Sequence, residues 1–194
     1  MTIKDILDCA RASGQTERFT RWLAFVLSWE AVFEKDGVTL RNENVPGDSG
    51  GLTFCGIDKA SHPHFPYDNP HPFDVVAAYL SDAWKPCHAE ELGFPSGEVT
   101  ANFAVNMGLE ASILMLQFAI DEQSHIVIDG ALGPITIKTV QQLNNDKLAE
   151  DIEAVADAKY RRIAYLHPVD RKFLSGWLAR DAALDRWWKK LSIS

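Results

Sequence analysis

A mainly α-helical fold with one small β-hairpin is what this sequence predicts, and three observations carry the prediction. Apolar residues recur at helical spacing over most of the 194 residues. Short extended pieces, "VTLRN" and "LTFCGI", are confined to residues 37–57, where they flank the glycine-rich turn "VPGDSGG". No repeat of fixed period and no low-complexity tract interrupts the pattern.

The elements follow in order. Phe19, Trp22, Leu23, Phe25, Val26, Leu27 and Trp29 recur at helical spacing after Thr16, a good N-cap, so a helix is expected over about 17–33 with Glu30 in its last turns. A helix C-terminus favours cations, so a carboxylate there has a raised tendency to hold its proton. The hairpin comes next, then a loop over residues 61–73, "SHPHFPYDNPHPF", whose four prolines and three histidines allow nothing regular. A helix is expected over about 72–84. The longest periodic segment covers residues 98–122, with Val99, Phe103, Met107, Leu114 and Phe118 on one apolar face and Gly108 as a point where it divides. A short helix should begin at Pro134, whose fixed φ suits a first helical position. "NDKLAEDIEAVADAKYRRIAYL" and "RKFLSGWLARDAALDRWWKKL" complete the helices, the last with a bend at Gly176.

Composition bounds the function. With 46% hydrophobic residues the chain should bury a core without staples, and the three cysteines, Cys9, Cys55 and Cys87, form no CxxC pair and suit a reducing compartment. No window is apolar enough for a membrane span, and "MTIKDILDCARASG" lacks the basic flank and apolar stretch of an export signal. The net charge of −8 argues against a dedicated nucleic-acid binder. That charge is uneven: residues 158–194 hold nine Lys or Arg against three Asp, a local net of +6 that leaves −14 for the rest. The basic end suits contact with an anionic polymer.

Glu30, Asp48 and Thr53 are the candidate chemistry. Glycosidic cleavage needs a carboxylic acid to protonate the leaving oxygen and a second group to hold water or stabilise the oxocarbenium-like state. A Glu at a helix end beside an apolar wall, with an Asp and a Thr on a glycine-rich hairpin, supplies those parts. Gly50 and Gly51 let a sugar chain approach the backbone. Most such helix-end glutamates and "DSGG" turns are structural, and the residues alone do not decide between the two readings.

Beyond the residue chemistry, "WEAVF" with "PGDSGGLTFCGI" resembles the signature of the family 108 glycoside hydrolases, phage-type and bacterial muramidases in which Glu-Gly-Gly is followed by Asp-x-Gly-Gly-x-Thr and Gly-Ile. "FAVNMG", "LQFAI", "DGALGPITIKTV" and "FLSGWLAR" follow in the family's order, the last three resembling its helical peptidoglycan-binding region. The resemblance implies a lysozyme-like fold and a catalytic region over residues 14–92. A peptidoglycan-binding region follows over residues 96–190, packed with the first as one body. It also implies Glu30 as general acid, Asp48 and Thr53 as the water-holding pair in an inverting attack, and Asn106 in the cleft floor. The chain departs from the pattern in two places: Ala31-Val32 replace the Gly-Gly, and the interval from Glu30 to Asp48 is longer by several residues. Glu34, read as one turn later on the same face, is the alternative acid, and Asp36 and Glu43 are alternative partners.

The remaining features have plainer readings. His62, His64, His71, His88, Cys55 and Cys87 include zinc-ligand types without tight paired spacing. The expectation is therefore no metal and no cofactor. Asp129-Gly130 and Gly133-Pro134 form a turn and a helix start, to which the resemblance adds Asp129 as a substrate contact. Trp177 is expected in the core, and one ring of the Trp187-Trp188 pair partly exposed. The expected partner is bacterial peptidoglycan, met by a monomer made without a classical signal and reaching the wall by release or specialised export, as an endolysin does. A lytic transglycosylase and a catalytically inactive wall-binding protein are the rival readings.

Overall fold

The structure is a computed structural model that describes residues 1–44 and 50–193. The chain is mainly helical, consistent with a lysozyme-like fold, with a small three-stranded antiparallel sheet where the sequence predicts one hairpin, and divides into two compact units, Met1–Ser81 and Asp82–Ser194.

The first unit opens with α1 (Ile3–Ala12), capped by a reciprocal pair in which Thr2 and Asp5 each accept from the other's backbone N–H. Its helix α2 (Glu17–Glu30) is capped at Thr16, whose Oγ1 accepts from the Phe19 N–H at 3.1 Å. The helix ends at Glu30, three residues earlier than the apolar pattern suggests, because Ala31 turns extended at ψ 136°. Phe33 instead bridges to Leu40, and the Glu34 N–H donates to the Thr39 carbonyl. The β-branched and aromatic residues here, Val32 and Phe33, suit that extended segment. Three short strands follow: β1 (Glu43–Asn44), β2 (Leu52–Phe54) and β3 (Ile57–Asp58), in that spatial order. Helix α3 (Pro72–Tyr79) starts at His71, whose Nδ1 accepts from the Phe73 N–H, and continues as a wider π turn to Trp84. Ile6 and Ala10, Phe19, Trp22, Leu23 and Val26, and Val75 and Val76 form the core of this unit.

In the second unit the short α4 (Ala89–Leu92) leads to α5 (Ser96–Met107) and α6 (Leu109–Ser124), divided at Gly108, whose φ of 84° ends one helix and begins the next. The division resets the helical phase. Val99 and Phe103 are buried as expected, but on α6 the buried face is Ile113, Leu116 and Ile120, and Phe118 lies half exposed. Helices α7 (Pro134–Val140), α8 (Asn145–Leu166) and α9 (Leu174–Ser192) complete the unit, with a 3₁₀ turn over Pro168–Phe173 before α9. Helix α8, on which Leu148, Ile152 and Ala156 are buried, packs with α5, α6 and α9. Gly176 lies within α9. Trp188 is fully buried while Trp187 is half-buried, and Trp177, also half-buried, stacks on Tyr160 at 5.1 Å. Among the described residues no helix is long and apolar enough to cross a membrane.

Candidate functional site

The site is built from the end of one helix and one face of the sheet. The register pairs Glu43 with Thr53 and Thr53 with Asp58, so three polar side chains form a row across β1, β2 and β3. Phe54 and Ile57 are the last pair of the β2–β3 hairpin, and Cys55 and Gly56 make its two-residue turn with φ of 51° and 76°. Positive φ at both positions is the geometry that matches strand twist, with glycine at the second position. The turn is tied down from α3: the Tyr79 hydroxyl donates to the Cys55 carbonyl at 2.6 Å.

Glu30 lies directly against this turn. A Cβ placed on Gly56 would stand 2.9 Å from Glu30 Oε2, 3.0 Å from Glu30 Cβ and 3.1 Å from the Tyr79 hydroxyl. Only glycine leaves the carboxyl its place. Burial pushes the Cys55 thiol up to about 12, and the charge of Glu30 adds to the rise, which is an electrostatic sign of the same proximity. Glu30 is half-buried, and with Gly50, Thr53, Gly56, Asp58, Ala60 and Ser61 it lines an open groove of about 570 Å³.

Asp58 is the residue that the sequence reading passed over. Its Oδ1 accepts from the Ser61 N–H at 2.9 Å, and its side chain packs on Gly50, where a Cβ would come within 3.1 Å. Burial opposes its ionisation, yet the hydrogen bonds from Ser61 and the nearby His62 outweigh that and hold the carboxyl below its ordinary value. The available signal was its place opposite Thr53, legible once "CG" is taken as a two-residue turn.

The other expected residues fall as follows. Thr53 lines the groove from β2, its hydroxyl 3.4 Å from the Gly51 carbonyl. Asp48 lies outside the described residues. Glu34 is not one turn beyond Glu30: the helix has ended, and Glu34 is exposed and lines a different recess of about 510 Å³ with Arg41, Asn42 and Tyr67. Asp36 caps its own turn, accepting from the Val38 and Thr39 N–H groups and the Thr39 hydroxyl, which hold it down at about 2. In the second unit, Asn106 is half-buried on α5 beside the Tyr160 hydroxyl. Asp129 accepts from Gln117 Nε2 at 2.9 Å and from the Ala131 N–H, while Gln117 Oε1 accepts the N–H groups of Asp129 and Gly130. This lock closes the loop before α7 and keeps the Asp129 carboxyl below its ordinary value. Among the described residues no three His, Cys, Asp or Glu side chains are grouped to hold a metal ion.

No curated protein matches this chain. Among solved structures it is similar to the Brucella abortus SagA structure, with a TM-score of 0.67 and 20% identity over 87% of this chain and 92% of that one. At that identity the likeness is one of fold. Residues 111–182 match a family model described as a predicted peptidoglycan domain. The matched span lies wholly in the second unit, from α6 into α9, and it connects that unit with peptidoglycan.

Proposed function

We propose that the protein is a peptidoglycan hydrolase of the N-acetylmuramidase type, cleaving the β-1,4 bond between N-acetylmuramic acid and N-acetylglucosamine. One observation carries the reading: the Glu30 carboxyl sits against Gly56 in a groove shared with Thr53 and Asp58, in a chain whose residues 111–182 match a predicted peptidoglycan domain. In this reading Glu30 protonates the glycosidic oxygen as the bond to the sugar C1 breaks. Asp48 and Thr53 hold the water that attacks the opposite face, giving inversion. Asp58, kept ionised, adds a negative charge on the side where the oxocarbenium-like charge develops. Gly50 and Gly51 let the glycan lie close to the backbone. No cofactor takes part.

The region over residues 14–92 supplies the chemistry and that over 96–190 the wall contact, with Asn106 and Asp129 assigned to the latter as substrate-binding residues. The enzyme acts as a monomer on the wall after release or specialised export. Mass spectrometry of digested sacculi tests the reaction: reducing N-acetylmuramic acid ends are expected, whereas anhydro ends identify a transglycosylase and overturn the hydrolytic step.

A further inference from the structure

The second unit holds a group that the proposed reaction does not use. Asp181 on α9 is 5% exposed, and among the described residues neither carboxyl oxygen meets an N–H or hydroxyl donor, its side-chain neighbour Asp157 being a second carboxyl that disfavours its charge. A buried carboxyl left this way is costly unless something compensates it. It lies at the floor of a recess of about 220 Å³ between two helical stripes, Glu153, Ala154 and Asp157 of α8 and Leu178, Asp181, Ala182 and Asp185 of α9.

The surrounding charges do not neutralise it. Asp185 is paired with Lys189 at 2.6 Å, and Lys189 also reaches Glu150 at 3.0 Å. Arg161 stands 3.8 Å from Asp157, and Trp188 Nε1 donates to Glu153 at 3.0 Å. Arg180 favours the ionised form of Asp181 but donates its Nη2 to Asn102. The Asp157 carboxyl raises the cost of a charge on Asp181 rather than relieving it. Burial pushes Glu153 to about 8 and Asp181 to about 7, and neither Lys189 near the first nor Arg180 near the second offsets it.

We infer that this recess binds a primary ammonium group on a short alkyl stem, the ammonium meeting Asp181, Glu153 and Asp157 and the stem lying on Ala154, Leu178 and Ala182. A metal ion fits less well, because these carboxyl groups do not converge as a metal site among the described residues. An ammonium carries three donors that can reach separated acceptors. The recess lies within or beside the span matched to a predicted peptidoglycan domain, and wall peptides carry a diamino acid with a free side-chain amine. The assignment to that source rests on the wall-hydrolase reading; the ammonium chemistry does not.

The test is calorimetric titration of the full chain with the tripeptide L-Ala-γ-D-Glu-L-Lys, its Nε-acetyl form, and Nα-acetyl-lysine amide. Binding of the tripeptide should weaken about tenfold or more on acetylation and in Asp181→Asn. Asp181→Leu should abolish binding while raising Tm, which excludes unfolding as the cause. Equal binding of the free and acetylated tripeptides, no binding of either, or unchanged binding in both variants overturns the inference. Lysine amide binding as tightly as the tripeptide upholds the ammonium site and overturns the wall peptide as its source. Sacculus lysis, measured in parallel, separates the two readings: lysis without amine binding removes this site alone, and amine binding without lysis removes only the hydrolase.

Discussion

At the scale of single residues, Gly56 has the sharpest demand placed on it. Gly56→Ala meets two penalties, a positive φ and a Cβ that collides with Glu30 and Tyr79. The expected cost is about 1–3 kcal/mol in a thermal or denaturant melt, with loss of lytic activity as the Glu30 carboxyl is displaced. Tyr79→Phe separates stability from chemistry. It leaves the buried Cys55 carbonyl without its donor, at a cost of about 1–2 kcal/mol read from the shift in unfolding midpoint. Asp58→Asn keeps an acceptor for the Ser61 N–H and removes the charge, so lysis should fall sharply with only a small drop in Tm.

At the scale of elements, the sequence made visible what depends on local chemistry. The Thr16 cap, the start of a helix at Pro134 and the break at Gly108 each follow from one residue's conformational or hydrogen-bonding preference, and each stands where that preference puts it. The end of α2 was not legible, because Ala31, Val32 and Phe33 continue the apolar pattern and it is pairing of residues 32–34 with 39–41 that draws them out of the helix. The same long-range pairing removed Glu34 from consideration. Phe118 was misassigned because the break at Gly108 shifts the phase of α6 by an amount that no single-residue preference gives. At the site, Glu30 and Thr53 could be singled out by residue type, but Asp58 needed the strand register. Gln117 was missed for a related reason: a glutamine on an apolar helix shows no local sign that it will bond a loop 12 residues away. Gln117→Ala leaves the Asp129 and Gly130 N–H groups without their acceptor and removes one of the two donors to the Asp129 carboxylate, so a loss of about 1–3 kcal/mol is expected, with faster amide exchange at Asp129 and Gly130.

At the scale of the whole molecule, the α8–α9 region holds two carboxyl groups that burial raises well above the ordinary carboxylate range. Asp181 and Glu153 rise from ordinary values of 3.8 and 4.5 to about 7 and about 8 on folding. A carboxyl whose folded value is raised binds more protons in the native than in the unfolded state, so its contribution is complete below its unfolded value and lost as pH rises through the folded one. The chain should therefore melt at a lower temperature at pH 9 than at pH 6, and Asp181→Leu should flatten that slope. An unchanged slope in the variant would assign the pH dependence to other groups. The Glu30 groove and this region belong to different units and make separable claims.

The claim on which the proposed function turns is that Glu30 is the proton donor, and one measurement addresses it directly. Purified sacculi are incubated with wild-type protein and with Glu30→Gln, and reducing muramic acid ends are quantified by mass spectrometry, with circular dichroism verifying that both proteins are folded. The expected result is steady release by the wild type and a rate lower by about 100-fold or more in the variant. Release at the wild-type rate by folded Glu30→Gln would contradict it.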